Sequence, residues 1–550
     1  MQLNDTPLDD SADEQVMQAD VVVIGGGLSG LPAAVSAAEA GARKVLVLER
    51  RKLLGGTGRM VGNLFGVDSP EQRRQGIEHA ADEIFDYHME RAHWRCDARL
   101  ARNLIDASKD VLAWLESKGA KFQRVVASTG KYRCSHQIID GSGESLMPLT
   151  GNVIAQILID ECKRLGVEIS LETRATQLLT DGAGTVTGVR AVQKGKAVRI
   201  DAKSVIVATG SITGNKALMK TYFPEVDFNN VRIAADLPWA SGDGMIMAQD
   251  IGAARDALLT RLYVGPDYAT GNRLMILVHR PHVILVNRHG LRFVDEALVC
   301  TNDDHSMVGS AIERQPGNQC WALIDRPTLE LMVQRREVLN TFEEIFGQMA
   351  SPDVFGTLEA GAESGPEALR GRHVTAWLDG LVDELESEAK NGRVLISDSL
   401  DEIAAWIGAD AATLKSQVER YNGYCERGRD GEFNKPKEWL LPLTRPPYYA
   451  VRGGQLMDSV FGGIRINHEM AVLNGEFNAI AGLYAVGIAT SGWLGPSGLG
   501  GLDGLCSMLS QYSGLVAGRN AAARAQATQR PAHAAQGSYF WPMAADDAAR

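Results

Sequence analysis

Apolar residues run unbroken from Val21 to Ile24 and again from Val45 to Leu48, and the stretch between them carries alanine and leucine at helical spacing. Short unbroken apolar runs predict strands buried on both faces, so residues 20–48 read as a strand–helix–strand unit with parallel strands. Residues 71–120 alternate charged and apolar positions with helical period, and Trp94, Leu100, Leu104, Val111 and Leu115 are the expected core contacts. An amphipathic helix is predicted over 151–166, followed by a strand from Val167 to Leu171. Thr185–Val192 and Ala197–Ile200 read as a hairpin, and Ser204–Gly210 as a separate buried strand stopping at a glycine. From about 245 to 440 the pattern changes to mixed strands and charged helices, punctuated by Pro281, Pro316, Pro327, Pro352 and Pro366. Strand-like segments resume at Tyr448. A glycine-rich loop over 492–504 then leads into a helix ending near Ala523.

The first unit carries the most specific chemistry. Its leading strand enters Gly25, Gly27 and Gly30, and the second strand ends in Glu49. Glycines at this spacing allow a tight turn, close approach of a pyrophosphate and close packing of helix on strand. The helix N-terminus offers N–H groups to phosphates, and an acid about twenty residues on can accept from ribose hydroxyls. The expected fold class is therefore α/β: a Rossmann-like dinucleotide-binding domain with an inserted α+β capping domain for the substrate. The expected boundaries are a tail over 1–18, the nucleotide-binding domain over 19–245 and 441–523, the cap over 246–440, and a second tail over 524–550.

Composition narrows the partners. A length of 550 residues exceeds one ordinary core, and 45% hydrophobic with 23% charged residues is that of a globular protein. A net charge of -12 argues against nucleic acid or an anionic membrane as the main partner. No apolar run reaches membrane-spanning length, and residues 1–19 carry no export-type pattern, so a cytoplasmic location is expected. No two of the seven cysteines stand two or three residues apart, which excludes a local iron–sulfur, zinc-ribbon or haem-attachment motif. No metal site is expected.

In motif order the chain resembles the flavoprotein family that includes fumarate reductase flavoprotein subunits, urocanate reductase and 3-ketosteroid dehydrogenases. The resemblance spans about residues 19–523. Beyond the entry motif it rests on Gly55-Gly56-Thr57-Gly58, on Glu172-Thr173-Arg174-Ala175-Thr176, on Ala208-Thr209-Gly210 and on Gly242-Asp243-Gly244. It continues in Ile284–Asn287 with Arg292-Phe293-Val294-Asp295-Glu296, in Gly482–Gly487, and in the glycine loop at 495–501. The resemblance implies FAD, bound non-covalently because Arg59-Met60 stand where covalent members carry a histidine. It implies cofactor contacts from Gly25, Gly27, Leu28, Ser29, Gly30, Glu49, Arg50, Gly56, Thr57, Gly58, Ala175, Thr209, Gly210, Asp243, Gly487, Ile488, Asp503 and Gly504. Asp243 has a second reading, as a cap of the helix at Met245, and Arg292 to Glu296 read as a stabiliser of the cap.

The departures bear on the substrate. Fumarate-reducing members place an arginine in the closing glycine loop, where this chain has Gly498, and another after the cap hairpin, where it has Cys300. The histidine before the family's Gly-Gly pair is replaced by Asp458 or Ser459, ahead of Gly462-Gly463. A dicarboxylate needs cationic, bidentate partners, so a neutral or cyclic substrate is expected instead. Pro447-Tyr448-Tyr449-Ala450 with Gly453 resembles the ketosteroid dehydrogenase segment in which a tyrosine hydroxyl and a glycine N–H polarise a carbonyl. The candidate catalytic residues are thus Tyr449 and Gly453, then Tyr448, His305 and Cys300, with Tyr263 and Asp503 behind them. The expected pocket lining is Tyr448, Tyr449, Trp493, Ile488 and Leu499. The leading function is hydride transfer between FAD and a carbon–carbon bond beside a carbonyl or ring, with a small-molecule substrate and an external electron donor or acceptor. An electron-transfer subunit and a non-redox FAD-containing hydratase or isomerase are the alternatives.

Overall fold

The computed structural model describes residues 15–127, 132–139, 150–233, 237–266, 274–301, 306–335, 380–495 and 502–528. Strand β1 (Gln15–Ile24) and strand β2 (Val45–Leu48) run parallel with Val21 opposite Val45, joined by helix α1 (Gly30–Glu39). Val21 to Ile24 and Val45 to Leu48 are all buried, as unbroken apolar runs require. Their sheet has eight strands among the described residues: six along the path Ala471–Leu473, Ala479–Ala485, Lys196–Val207, β1, β2, Glu168–Ser170, and two off it, Thr173–Thr180 and Val186–Gln193. The hairpin and the buried strand read separately at 197–207 are one strand of 12 residues, Lys196–Val207. Val198–Val207 follows β1 in parallel, while Lys196–Asp201 pairs on the other side with residues 188–193. No polar break falls between Ile200 and Ser204 strong enough to end it.

The last described helix, Leu505–Ala527, lies against α1. Contact is close because Gly514 and Gly518 face it. A methyl at Gly518 would stand 2.2 Å from the Ala33 carbonyl oxygen, and one at Gly514 2.5 Å from that of Ser29. The Ser36 hydroxyl donates to the Leu515 carbonyl at 2.7 Å, closing the seam.

Helices Ala81–Arg91 and Ala98–Ser117 form where helical spacing predicts, and Leu100, Leu104, Val111 and Leu115 are buried. Trp94 is the exception and corrects the expectation of a core contact: it is 64% exposed. It lies in the turn between these helices at a left-handed φ of 54°, so the helical register that would bury it does not reach it.

Among the described residues, a second sheet of six strands is built around the long strand Tyr448–Ile464. Antiparallel neighbours Arg255–Pro266, Gln319–Asp325 and Val394–Ser397 pair with it. Tyr448–Ile464 therefore starts as part of this second sheet and reaches the first layer only at its end. Its alternating side chains divide between two cores: Tyr449 and Val451 enter one with Ile324 and Leu385, and Ala450 the other with Leu414 and Tyr421. Beneath the sheet Arg292 is fully buried and ion-paired to Glu296 at 2.8 Å and Asp430 at 3.1 Å, with Lys435 on Glu296 at 3.3 Å. Arg292 to Glu296 thus stabilise this part of the fold, as read.

Candidate functional site

Four strand ends and their turns converge on one cradle. The Gly25 N–H donates to the Leu48 carbonyl at 2.8 Å, the Ala208 N–H to Ile24 at 2.8 Å and the Val486 N–H to Val207 at 2.9 Å. At Gly25, with φ of 108°, a methyl would stand 2.4 Å from the Ala208 carbonyl oxygen, so only glycine can make this turn. The second loop lies directly across: Gly55 bridges Gly27, and its N–H donates to the Gly26 carbonyl at 2.7 Å. The space beside these loops is open. A methyl at Gly27 would meet only the Gly55 oxygen, at 3.9 Å, and one at Gly210 would meet nothing within 4 Å. Ser29 caps α1 without a side-chain capping bond, which suits first-turn N–H groups to a ligand.

Glu49 ends β2 inside this cradle, 6% exposed. Its carboxylate accepts from the Gly26 N–H at 2.9 Å and from the Arg51 N–H at 2.9 Å. Burial raises its pKa, opposed by those two N–H groups. Each oxygen keeps a further lone pair for a hydroxyl. The Glu49 carbonyl also accepts from the Thr173 N–H at 2.9 Å, bringing the strand of Ala175 alongside.

Asp243 does not cap its helix. Gly242 is the N-cap of its helix, and both Asp243 oxygens are engaged. Arg174 donates to it at 2.8 Å, Arg50 at 3.3 Å and the Ser241 hydroxyl at 2.7 Å. Arg51 meanwhile stacks over Trp239 at 3.7 Å. Asp243 is thus the counter-charge that holds Arg50 beside Glu49. Next to it Thr209 has a buried hydroxyl oxygen with no hydrogen-bond partner.

The closing motif completes the cradle. A methyl at Gly487 would stand 2.6 Å from the Ser29 hydroxyl oxygen, and the Gly487 N–H donates to Ser513 at 3.0 Å. Ile488 follows in the same turn, and Ser491 accepts from the Gly463 N–H at 2.9 Å. Gly504, at φ 78°, caps the last helix against the backbone of Leu64 and Phe65. Gly25 to Gly30, Glu49, Arg50, Gly56 to Gly58, Ala175, Thr209, Gly210, Asp243, Gly487 and Ile488 come from segments joined by these contacts. Ser513, Ser241 and Arg174 were missed as supports; no local motif marks a serine in a helix or an arginine in a strand as a partner.

Of the catalytic candidates among the described residues, none is joined to this cradle by the contacts above. Tyr449 is paired with Ile324 and Ile396 in the middle of the second sheet, 6% exposed, in its apolar core. The contact between Gly463 and Ser491 lies at the other end of the same strand, roughly 40 Å of extended chain away. Gly453 sits between Cys320 and Pro266 in the ladder, so its backbone groups belong to the sheet. Tyr449 and Gly453, read from the sequence as a carbonyl grip, thus stand within the ladders of the second sheet, with the Tyr449 ring in its apolar core. Tyr448 packs against the opposite core. Cys300 lies in the short helix Leu298–Thr301, its thiol donating to the Ala297 carbonyl at 3.3 Å and packing on the core that holds Tyr449. Tyr263 is placed by its backbone opposite Leu456. His305, Gly498 and Leu499 lie outside the described residues.

The profile of the FAD binding domain family matches residues 20–507. The chain belongs to this family. Vinyl phenol reductase of Lactiplantibacillus plantarum is 26% identical over 516 residues, covering 92% of this chain and 96% of that protein. Among solved structures, the open conformation of a flavocytochrome c3 fumarate reductase is 25% identical with a TM-score of 0.64, over 92% of this chain and 79% of that one. A 3-ketosteroid-delta4-(5alpha)-dehydrogenase from Rhodococcus jostii RHA1, 23% identical, shares the fold with a TM-score of 0.67 over 93% and 99%. The flavoprotein is an FAD-dependent oxidoreductase. Its cradle fits FAD: the glycine walls are open at Gly27 and Gly210, Glu49 is desolvated with lone pairs to spare, and the Thr209 hydroxyl is unpartnered. Among the described residues no helix is long and apolar enough to cross a membrane, and no group of His, Cys, Asp and Glu could hold a metal. None of the seven cysteines is in a disulfide.

Proposed function

We propose that this flavoprotein, an FAD-dependent oxidoreductase of carbon–carbon double bonds, reduces a double bond conjugated to a ring or carbonyl in a neutral substrate. Bound FAD supplies the hydride acceptor and donor. Without covalent attachment, the chain holds it with Glu49 on a ribose, the amides from Gly25 to Gly30 and the first turn of α1 on the pyrophosphate, and Gly56, Thr57 and Gly58 across from them. Ala175, Thr209, Gly210 and Arg50, the last held by Asp243, lie toward the adenine end. Gly487, Ile488, Asp503 and Gly504 would hold its other end. Electrons come from an external carrier.

One observation supports the neutral substrate above the rest. The arginine of the cap segment, Arg292, is locked between Glu296 and Asp430 and cannot grip a carboxylate, while the position eight residues later is a thiol, Cys300. A small dicarboxylate would lose its bidentate cationic partner there. The name of the vinyl phenol reductase, a relative matched along almost its whole length, agrees with a neutral aromatic substrate. The test is reduction of 4-vinylphenol and of fumarate by purified holoenzyme with reduced methyl viologen as donor. Turnover of the neutral alkene, with fumarate at least about a thousandfold poorer in kcat/KM, is expected. Comparable turnover of fumarate would overturn the reading.

A further inference from the structure

The closing motif is clamped from behind by the end of helix Ala81–Arg91 and the turn that follows it. Gly495 packs so closely on this turn that a methyl there would stand 2.6 Å from the Ala92 carbonyl oxygen. The Asp97 N–H donates to the Gly492 carbonyl at 2.7 Å, and a methyl at Gly492 would stand 3.0 Å from Leu100. Between these two backbone contacts, His88 Nε2 lies 3.0 Å from the Trp493 carbonyl oxygen. A carbonyl only accepts, so Nε2 carries the proton. Burial lowers the His88 pKa from 6.5, and the ring is neutral at pH 7. Nδ1 is then a buried acceptor with no hydrogen-bond partner among the described residues.

From Trp493 the contacts continue inward to the cradle. The bond to His88 fixes the Trp493 backbone, and the buried indole carries that position onward, edge-on to Tyr512 at 6.2 Å. Its N–H donates to Thr490 Oγ1 at 2.8 Å, and the Thr490 hydroxyl donates to the Gly487 carbonyl at 2.6 Å. The Gly487 N–H donates to Ser513 at 3.0 Å, on the far side of the turn that stands against Ser29. His88 is an expensive residue for this place. An orphaned buried acceptor costs about 1–3 kcal/mol, which an apolar side chain of the same shape would not incur. What the imidazole adds is its one bond to the Trp493 carbonyl, and a locally unfavourable choice of this kind is expected where function sets the residue.

We infer that His88 is a positioning residue for bound FAD: by holding the Trp493 carbonyl it sets, through Trp493 and Thr490, where the turn Gly487–Ala489 stands against the cofactor. The inference rests on the reading above that Gly487 and Ile488 hold the flavin end of FAD. His88 and Trp493 are 405 positions apart, so the bond joins the closing motif to a helix outside the cradle. Removing it leaves the backbone contacts of Ala92 and Asp97 in place and frees the closing turn to shift between them.

The experiment compares wild type, His88→Phe, His88→Gln and Thr490→Val by the visible absorption band of bound FAD and by fluorescence titration of each apoprotein with FAD. His88→Phe keeps a ring and loses the donor. It should shift the band and bind FAD about threefold to tenfold more weakly, as the loss of one hydrogen bond implies. His88→Gln, whose amide nitrogen reaches as far as Nε2, should restore both. Thr490→Val cuts the same chain one step nearer the cradle and should shift the band alike, and the double variant should fall short of the summed effects. Should His88→Phe fail to fold, His88→Asn, whose amide stops short of the Trp493 carbonyl, takes its place with the same expectation. A shifted band in Thr490→Val with an unshifted one in His88→Phe overturns the inference and leaves the reading of the closing motif standing. Unshifted bands in both overturn the two together, and glutamine behaving as phenylalanine overturns the hydrogen bond as the cause.

Discussion

The Gly26 N–H donates to Glu49 Oε2 at 2.9 Å, tying the glycine turn at the end of β1 to the acid at the end of β2. The other carboxylate oxygen takes the Arg51 N–H at 2.9 Å, so both oxygens are pinned by backbone. The contact fixes where the carboxylate stands before any ligand arrives. Glu49→Gln would turn an NH2 group toward one of those N–H donors. The loss of one charge-assisted hydrogen bond, about 1.5–3 kcal/mol, should weaken FAD retention roughly tenfold to a hundredfold. Fluorescence titration of apoprotein with FAD measures this, and unchanged affinity would remove Glu49 from the cofactor site.

How much was legible follows from the range of each signal. The unit of β1, α1 and β2 is local, and its apolar runs, glycines and terminal acid lie within 30 residues, so pattern and structure agree. The support of Asp243 by Arg50 and Arg174 spans 193 and 69 positions, and no period connects them. Trp94 looked like core because helical spacing carries no information on where a helix breaks. Tyr449 matched a catalytic segment by its neighbours, yet its role depends on which sheet its strand joins. That is decided by Gln319–Asp325 and Val394–Ser397, far away in sequence.

The mode of FAD attachment can be checked directly. Arg59 donates to the Leu54 carbonyl at 2.6 Å and to Asn152, so the guanidinium beside Gly58 is engaged with the protein. Acid precipitation of holoprotein should release all the yellow chromophore into the supernatant. Flavin that stays with the pellet would contradict non-covalent binding.

Arg292 is the charge whose removal should cost the fold most. It is fully buried, and its partners Glu296 and Asp430 are buried too. Its own ionised form is favoured by those carboxylates despite desolvation. Arg292→Ala leaves the carboxylates uncompensated, apart from Lys435 on Glu296, and should destabilise by about 3–5 kcal/mol. Urea unfolding followed by tryptophan fluorescence reads the shift. A midpoint within error of wild type would show that the network carries no net stability.

His136 supplies a pH dependence whose sign is fixed by burial. Its Nδ1 stands 3.1 Å from the Cys134 carbonyl and its Nε2 2.6 Å from the Ser69 hydroxyl. Desolvation pushes its pKa down from 6.5 to about 4. The unfolded chain therefore binds a proton between those values while the folded chain does not, so stability is full above pH 6.5 and falls as pH drops toward 4. The loss is about 3 kcal/mol over that window. Denaturation midpoints of wild type and His136→Asn at pH 7 and pH 4.5 compare it. An equal slope in both proteins would assign the acid sensitivity elsewhere.

The final prediction concerns Tyr449. A tyrosine that polarises a substrate carbonyl must present its hydroxyl to the reacting centre, and losing one such donor costs on the order of 3 kcal/mol, about a hundredfold in rate. Tyr449 stands instead in the apolar core of the second sheet, and burial raises its pKa. Phenylalanine keeps the ring, the cross-strand contacts with Ile324 and Ile396, and the volume of the core. Tyr449→Phe should therefore retain turnover within about twofold of wild type, with stability changed by about 1 kcal/mol or less. Steady-state rates on 4-vinylphenol, alongside FAD content, give the comparison. A hundredfold loss at normal FAD content would mean that the cap carries this strand to the flavin during turnover, and would restore Tyr449 to the chemistry.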